Sequence, residues 1–325
     1  MSKKRLAVFT ATGCSACENA ILDIHYQVNS LTRWAEISFW PFVTGCQWED
    51  LEKQELVDVC FFSGAIQTED DRSAALRLRD KSTVVVACGA CAAFGGLPGL
   101  ANLAGGDAES YRDMAARGEF PPLPRIKDRI SALPQIVTVD HFVPGCPPPR
   151  NLLWAAIQSL VCSGESPAGI SFIASRLPDF ISAAVTSGVM PPHGSMFAGE
   201  KAVCASCSRQ KEEKKFVRFL RPYEIDADPG RCLLEQGLMC QGLATREGCG
   251  GVCTAVGAGC RGCFGKAEAV FDPGAKMVSA ISSTIDSADA TEIQGLSEKF
   301  VDLAGTFYRY TLPTQCVLMS APAEE

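Results

Sequence analysis

Apolar residues in the first 150 positions come in short, near-continuous runs: Arg5–Thr10, Glu36–Val43, Val57–Phe62, Thr83–Ala87 and Gln135–Val139. They do not alternate with polar residues, which is how strands covered on both faces of a parallel sheet read. Between them lie helix-patterned stretches at Cys17–Trp34, Glu49–Leu56 and Thr68–Asp80. The last opens on Thr68 and a group of acids, which suits a helix N-terminus. Strand and helix alternating in this way predict a doubly wound α/β sheet with right-handed crossovers. A polar, Gly/Pro-rich excursion from Ala104 to Pro124 precedes the fifth strand. Further helices are expected over Asn151–Val161, near Lys276–Ile285 and over Glu292–Ala304.

Cysteine changes this picture. The chain carries 17, and eight fall close together: Cys204, Cys207, Cys232, Cys240, Cys249, Cys253, Cys260 and Cys263. Tight Cys-x2-Cys pairs frame the stretch, the spacings inside it are looser, and core-building apolar runs are few. Something other than side-chain packing must hold it together. Disulfides are disfavoured by the odd cysteine count and the lack of a secretory pattern. Structural zinc prefers tight pairs in self-contained modules, and only the two ends are tight here. Cubane clusters take four thiolates at more variable spacing. Eight thiolates make two sets of four, so two [4Fe–4S] clusters are expected, with zinc as the alternative. Spacing alone permits more than one division of the eight.

Four more cysteines follow predicted strands. Cys14 and Cys17 come after the first, Cys91 after the fourth in CGACAAFGG, and Cys146 after the fifth in VPGCPPP. Open α/β sheets bind ligands just past the carboxyl ends of their strands. These four residues, distant in sequence, can therefore converge on a third cluster, among Gly and Pro that allow close backbone approach and rigid loops.

Length and composition set the outer limits. The 325 residues suffice for two domains with a sizeable core. A net charge of −7 argues against nucleic acid as a partner. No run of 18 apolar residues is present, so no membrane span is expected. The opening MSKKRLAVFTATGC looks superficially like a signal peptide, but its apolar part is short and runs straight into Cys14, so it reads as a strand. Cysteine richness without an export pattern points to a reducing cytoplasm. No GxGxxG fingerprint occurs, so neither flavin nor nicotinamide is expected to bind here.

The Cys-x2-Cys after strand one, Cys91-Ala-x2-Gly-Gly and Pro-Gly-Cys146-Pro-Pro resemble the proximal-cluster motifs of the small, electron-transfer subunit of nickel–iron hydrogenases. The pieces CLLEQGLMC, ATREGCGG, CRGCFG, GLPGLANL and GTFYRYTLP are closer still to the cytoplasmic subgroup that includes the viologen-reducing hydrogenase of methanogens and the sulfhydrogenases. The resemblance covers essentially the whole chain. It implies a flavodoxin-like doubly wound parallel sheet over residues 1–165, carrying a proximal [4Fe–4S] cluster on Cys14, Cys17, Cys91 and Cys146. A linker with helices over 166–199, a Cys-rich irregular iron–sulfur domain over 200–265 and a helical tail over 266–325 complete the expected division. It also implies a medial [4Fe–4S] cluster on Cys249, Cys253, Cys260 and Cys263, and a distal one on Cys204, Cys207, Cys232 and Cys240. Cys204 stands where membrane-linked relatives have His, and Cys253 near where some relatives keep Pro and a three-iron cluster.

By the same resemblance the nickel–iron site belongs to a large partner subunit, and electrons from dihydrogen pass through this chain. The expected onward partner is an iron–sulfur adaptor leading to a flavin-containing heterodisulfide reductase-type complex. A flavin subunit serving a nicotinamide cofactor, as in an NAD(P)-linked hydrogenase, comes second. Two readings from other classes stand beside these: a cluster-bearing subunit of a related complex without hydrogen chemistry, and a zinc-stabilised scaffold.

Several residues compete for attention. Cys88 is the rival of Cys91, but it ends a buried strand, where free Cys is a common small apolar residue. Cys46, Cys60, Cys162 and Cys316 have no partner at ligand spacing and read as packing residues, Cys46 less clearly because it follows strand two. His25 reads as a core residue, His141 as a candidate hydrogen-bond donor to a cluster, and His193 as a loop residue without a role. Glu18 either passes protons near the partner subunit or caps the helix beside Cys17. The run Arg209–Lys215 reads as a solvated face, or alternatively as a dock for an electron acceptor.

Overall fold

The computed structural model describes residues 3–24, 27–103, 124–161, 190–213, 215–287, 289, 291, 295 and 302–315. Two compact units emerge: Met1–Phe197 together with Tyr310–Glu325, and Ala198–Arg309.

In the first unit, β1 (Lys4–Thr10) leads into α1 (Ala16–Leu22), α2 (Gln27–Trp34) and β2 (Ala35–Phe39). Short helices α3 (Pro41–Thr44) and α4 (Trp48–Glu52) precede β3 (Val57–Ser63), β4 (Ile66–Thr68) and α5 (Glu69–Lys81). Then come β5 (Ser82–Cys88), α6 (Gly89–Phe94), a 3-10 turn at Pro98–Leu103, β6 (Ile126–Ser131), β7 (His141–Val143), α7 (Arg150–Val161) and β8 (Ser195–Met196). Among the described residues the sheet has six strands in the order β2-β1-β3-β5-β7-β8, every pair parallel. Counted within the sheet this is 2-1-3-4-5-6, the flavodoxin-like winding with one added edge strand. β4 and β6 form a separate antiparallel pair.

The expected double-sided burial holds in β3, where every residue except Asp58 is buried. Phe39, Phe62, Leu51, Ile66, Leu78 and Leu133 pack into one core. Each such side chain, fully withdrawn from water, contributes about 1.5–3 kcal/mol. Thr68 starts α5 as expected: its side chain accepts from the Asp71 N–H at 3.0 Å, and Asp71 accepts the Thr68 N–H in return at 2.8 Å.

Some elements differ from the sequence reading. Gln135–Val139 is not the fifth strand. Pro134 starts a 3-10 turn over Leu133–Gln135, and the strand forms at His141–Val143, where the backbone pairs with Val86–Cys88. Val137 and Val139 are buried all the same, because the core needs their side chains but not their ladder bonds. The second strand ends at Phe39, and Pro41 opens a helical turn. The helix over Cys17–Trp34 is two helices, the first ending at Leu22. The helix expected over Glu49–Leu56 ends at Glu52. His25, Cys162, Cys316, most of the expected linker, most of the 104–124 excursion and most of the helix over Glu292–Ala304 lie outside the described residues.

The second unit has little regular structure. Among the described residues it contains α8 (Val252–Ala255), α9 (Pro273–Thr284) and α10 (Leu303–Phe307), two 3-10 turns and isolated bridges. α9 starts at Asp272, whose carboxylate accepts from Ala275 N–H at 2.7 Å and from the Tyr308 hydroxyl at 2.8 Å. Met277, Ile281, Phe216 and Phe307 form its main core, and a smaller one gathers Val203, Leu233 and Leu238 against Cys240 and Cys260. The expected tail over 266–325 is divided. The described residues up to Arg309 belong to this unit, and those from Tyr310 to Gln315 belong to the first. There α11 (Leu312–Gln315) brings Pro313 against Gly95 and Gly99, and Pro313 O accepts from Gln135 Nε2 at 3.0 Å.

Candidate metal centres

The carboxyl ends of β1, β5 and β7 open onto one small cavity of about 20 Å3, lined by Cys14, Cys17, Cys91 and Cys146 with Gly64, Gly145 and Pro147. Cys14 and Cys17 arrive on the turn into α1, Cys91 in the first turns of α6, and Cys146 just beyond β7. Glycine is required at two points here. Gly89 has φ +85°, and a Cβ on it would lie 2.3 Å from Cys17 Sγ; Gly96 has φ +57°, and its Cβ would lie 2.4 Å from Cys91 Sγ. Burial, with the neighbouring Cys146, Cys17 and Cys14, pushes the Cys91 thiol up to about 12. Burial and nearby Cys14 and Cys17 raise Cys146 as well.

Cys88 does not line the cavity. It is buried at the end of β5, and its thiol contacts that of Cys17, which together with burial raises the Cys17 thiol. Cys60 is buried inside β3, and Cys46 packs against the core while its sulfur accepts from the Trp40 N–H at 3.2 Å. His141 is buried edge-on to Phe197, away from the cavity lining. His193 pairs with Asp140 at 3.0 Å. Glu18 is 2% exposed and accepts from Trp40 Nε1 at 3.0 Å; burial raises its carboxyl against the pull of Trp40 and Thr10.

In the second unit seven of the eight downstream thiols have others of the set as electrostatic neighbours. Burial and the surrounding Cys240, Cys232, Cys207 and Cys260 push the Cys204 thiol up to about 12, although its residue lies at the surface. Burial also raises Cys240, which neighbours Cys232 and Cys207. A Cβ on Gly242 would touch both Cys204 Sγ at 3.3 Å and Cys240 Sγ at 3.6 Å. Burial also raises Cys249, beside Cys253. Cys260, also pushed by burial to about 12, neighbours both Cys240 and Cys249. The Cys260 N–H donates to Cys240 Sγ at 3.3 Å, and Thr254 Oγ1 lies 3.4 Å from Cys207 Sγ.

These donors fit iron–sulfur clusters. Buried thiols that repel one another's charge stay protonated unless a cationic centre binds them. A tetrahedral zinc at ~2.3 Å per bond would draw its four sulfurs to within about 4 Å of one another. Among the described residues, no group of three or more Cys, His, Asp or Glu lies close enough together to hold a single ion. A cubane takes four Cys thiolates, the donor type present here.

Arg209 was legible only as one of a charged run, yet it is 9% exposed, while Lys211, Glu212, Glu213 and Lys215 are exposed as expected. Its Nε donates to Thr254 O at 2.7 Å and its Nη1 to Asp228 O at 2.5 Å and Arg231 O at 3.1 Å. No local pattern marks it. The solvated-face reading fails at this position because three carbonyls from two remote segments, Asp228–Arg231 and α8, close around the guanidinium.

Among the described residues no helix is long and apolar enough to cross a membrane. The family described as NADH ubiquinone oxidoreductase, 20 Kd subunit, matches residues 14–160. A [NiFeSe]-hydrogenase chain from Dm. baculatum superposes with a TM-score of 0.48 at 19% identity, over 81% of this chain and 95% of that one. One of the subunits of the vhu F420-non-reducing hydrogenase of Methanocaldococcus jannaschii is 32% identical over 316 residues, 95% of each chain. Its counterpart in Methanococcus voltae is 31% identical over 323 residues, 97% of each. With identity above 30% over nearly the full length of both chains, the chain belongs to the small-subunit family of the F420-non-reducing hydrogenases.

Proposed function

We propose that this chain is the electron-conducting small subunit of a cytoplasmic [NiFe] hydrogenase, whose complex interconverts dihydrogen with two protons and two electrons. The carrying observation is the family identity along nearly the full length, joined to twelve cysteines, enough for three sets of four. Cys14, Cys17, Cys91 and Cys146 hold the proximal [4Fe–4S] cluster. Cys249, Cys253, Cys260 and Cys263 hold the medial one, and Cys204, Cys207, Cys232 and Cys240 the distal one. Bound clusters supply one-electron transfer at potentials set by ligation, burial and hydrogen bonds to sulfur.

The chain's own residues set those conditions. Gly89 and Gly96 let backbone approach Cys17 and Cys91 where a side chain would collide. The Cys260 N–H donates to Cys240 Sγ, joining a medial ligand to a distal one by a single hydrogen bond. The nickel–iron site is assigned to a large partner subunit, since the grouped cysteines here are used in three full sets. The relatives are named for not reducing F420. For this chain the onward partner is an iron–sulfur adaptor leading to a flavin-containing heterodisulfide reductase-type complex.

The test is iron and acid-labile sulfide per chain in the complex purified without oxygen. About twelve of each are expected, with nickel in a co-purifying large subunit. Zinc with little iron or sulfide would overturn the reading.

A further inference from the structure

Arg209 is the one arginine among the described residues that is buried, and it makes no ion pair among them. A charge withdrawn from water is costly unless something compensates it. The partial compensation comes from three backbone carbonyls. Thr254 O accepts from Nε, and Asp228 O and Arg231 O accept from Nη1. Gly257 closes in from another side, where an added Cβ would lie 3.7 Å from Nη2.

The identity of these carbonyls is informative. Arg209 itself stands two residues after Cys207, Arg231 immediately precedes Cys232, and Thr254 immediately follows Cys253. One guanidinium thus ties together three loops that carry cysteines of both downstream groups. Thr254, held by Arg209 through its carbonyl, also sets its hydroxyl 3.4 Å from Cys207 Sγ. A guanidinium stays charged at all working pH values, and its planar fork fixes the direction of each donor. It therefore contributes a permanent positive charge at a fixed place, tied to three segments whose cysteines carry negative charge when ligating.

We propose that Arg209 is a positioning residue that locks the loops of Cys207, Cys232 and Cys253 and supplies the counter-charge that raises the reduction potential of the distal cluster. This rests on the cluster assignment above. The sign follows from charge. Accepting one electron makes the set of four thiolates and its iron core more negative by one unit, and a fixed positive charge stabilises that state relative to the oxidised one. In a site shielded from water such a charge acts at low effective dielectric. The neighbouring exposed lysines at 211 and 215 are screened by solvent and salt and cannot substitute for it.

The experiment is an EPR-monitored redox titration of the whole hydrogenase complex, purified without oxygen, as wild type, Arg209→Gln and Arg209→Lys. Iron and sulfide are measured on each sample. The expected result is full iron in all three, with the distal signal of Arg209→Gln moved to lower potential by at least a tenfold change in its reduction equilibrium, about 59 mV for one electron. Arg209→Lys, which keeps the charge but loses the fork, should recover most of that shift. An unshifted distal potential in iron-replete Arg209→Gln overturns the proposal. So does an equal downward shift in Arg209→Lys, since charge would then not be the cause. Loss of iron in both variants also overturns it, by making Arg209 a structural clamp alone. Wild-type complex with iron but without a distal signal would instead overturn the cluster assignment on which the proposal stands.

Discussion

The backbone N–H of Cys260 points at the sulfur of Cys240 and donates to it at 3.3 Å. Gln241, next to Cys240, returns a bond from its own N–H to Cys260 O at 2.9 Å. Under the proposed division of the cysteines, the medial and distal sets are therefore not independent modules, because Cys260 donates a hydrogen bond to Cys240. Cys240→Ser should lower iron and sulfide by about four each per chain and also alter the EPR signal of the Cys249–Cys263 set. An unaltered medial signal after loss of the distal iron would show that this contact does not matter.

At the sheet edge, Cys91 lines the cavity and Cys88 does not. Cys91→Ser should reduce iron from about twelve to about eight per chain, whereas Cys88→Ser should keep all of it. Burying a hydroxyl in place of the Cys88 thiol costs on the order of 1–3 kcal/mol if it finds no partner, so that variant should be less stable but fully loaded. Iron analysis and denaturant unfolding on both variants separate the two roles, and the reverse pattern would exchange the assignments.

Gly96 offers a test that leaves every thiol in place. The Cβ of Gly96→Ala would fall 2.4 Å from Cys91 Sγ, and the backbone at φ +57° resists a side chain as well. The expected outcome is loss of the proximal signal with the medial and distal signals intact, read by EPR of the reduced complex.

Iron removal should act unequally on the two units. The first has a six-stranded parallel sheet with a large apolar core, while the second depends on short helices, turns and small clusters around its cysteines. Metal binding and folding are coupled where the ligands supply much of the cohesion. After anaerobic chelation, hydrogen exchange should show amides of Ala198–Arg309 losing protection while β1, β3 and β5 keep theirs. Equal loss in both units would contradict this.

Thr68 and Asp71 form a reciprocal cap on α5, and Asp71 also accepts from the Thr12 hydroxyl at 2.8 Å. Thr68→Ala should cost about 1 kcal/mol, a roughly fivefold loss of amide protection in α5, with iron content unchanged. A loss of proximal iron in this variant would mean that the cap also steers the Cys14 loop through Thr12.

Features that depend on residue type and near neighbours could be read directly from the chain. Near-continuous apolar runs marked β1, β3 and β5 because a strand buried on both faces must be apolar throughout. Thr68 and its acids marked the start of α5, since the orphan N–H groups of a first turn need local acceptors. Cysteine identity and number marked iron–sulfur chemistry, because few other ligands need so many thiols in a chain without a secretory pattern. Features that depend on distant partners came only with the folded molecule. The fifth strand lies at His141–Val143, not Gln135–Val139, because strand pairing with Val86–Cys88 outweighed local hydrophobicity after Pro134 had turned the chain. The tail divides at Tyr310 because Pro313 has its packing partners at Gly95 and Gly99, more than 200 positions earlier. Arg209 is buried because carbonyls 19, 22 and 45 residues away converge on it. Burial and charge environment are sums over neighbours in space, and a local pattern holds only the neighbours in sequence.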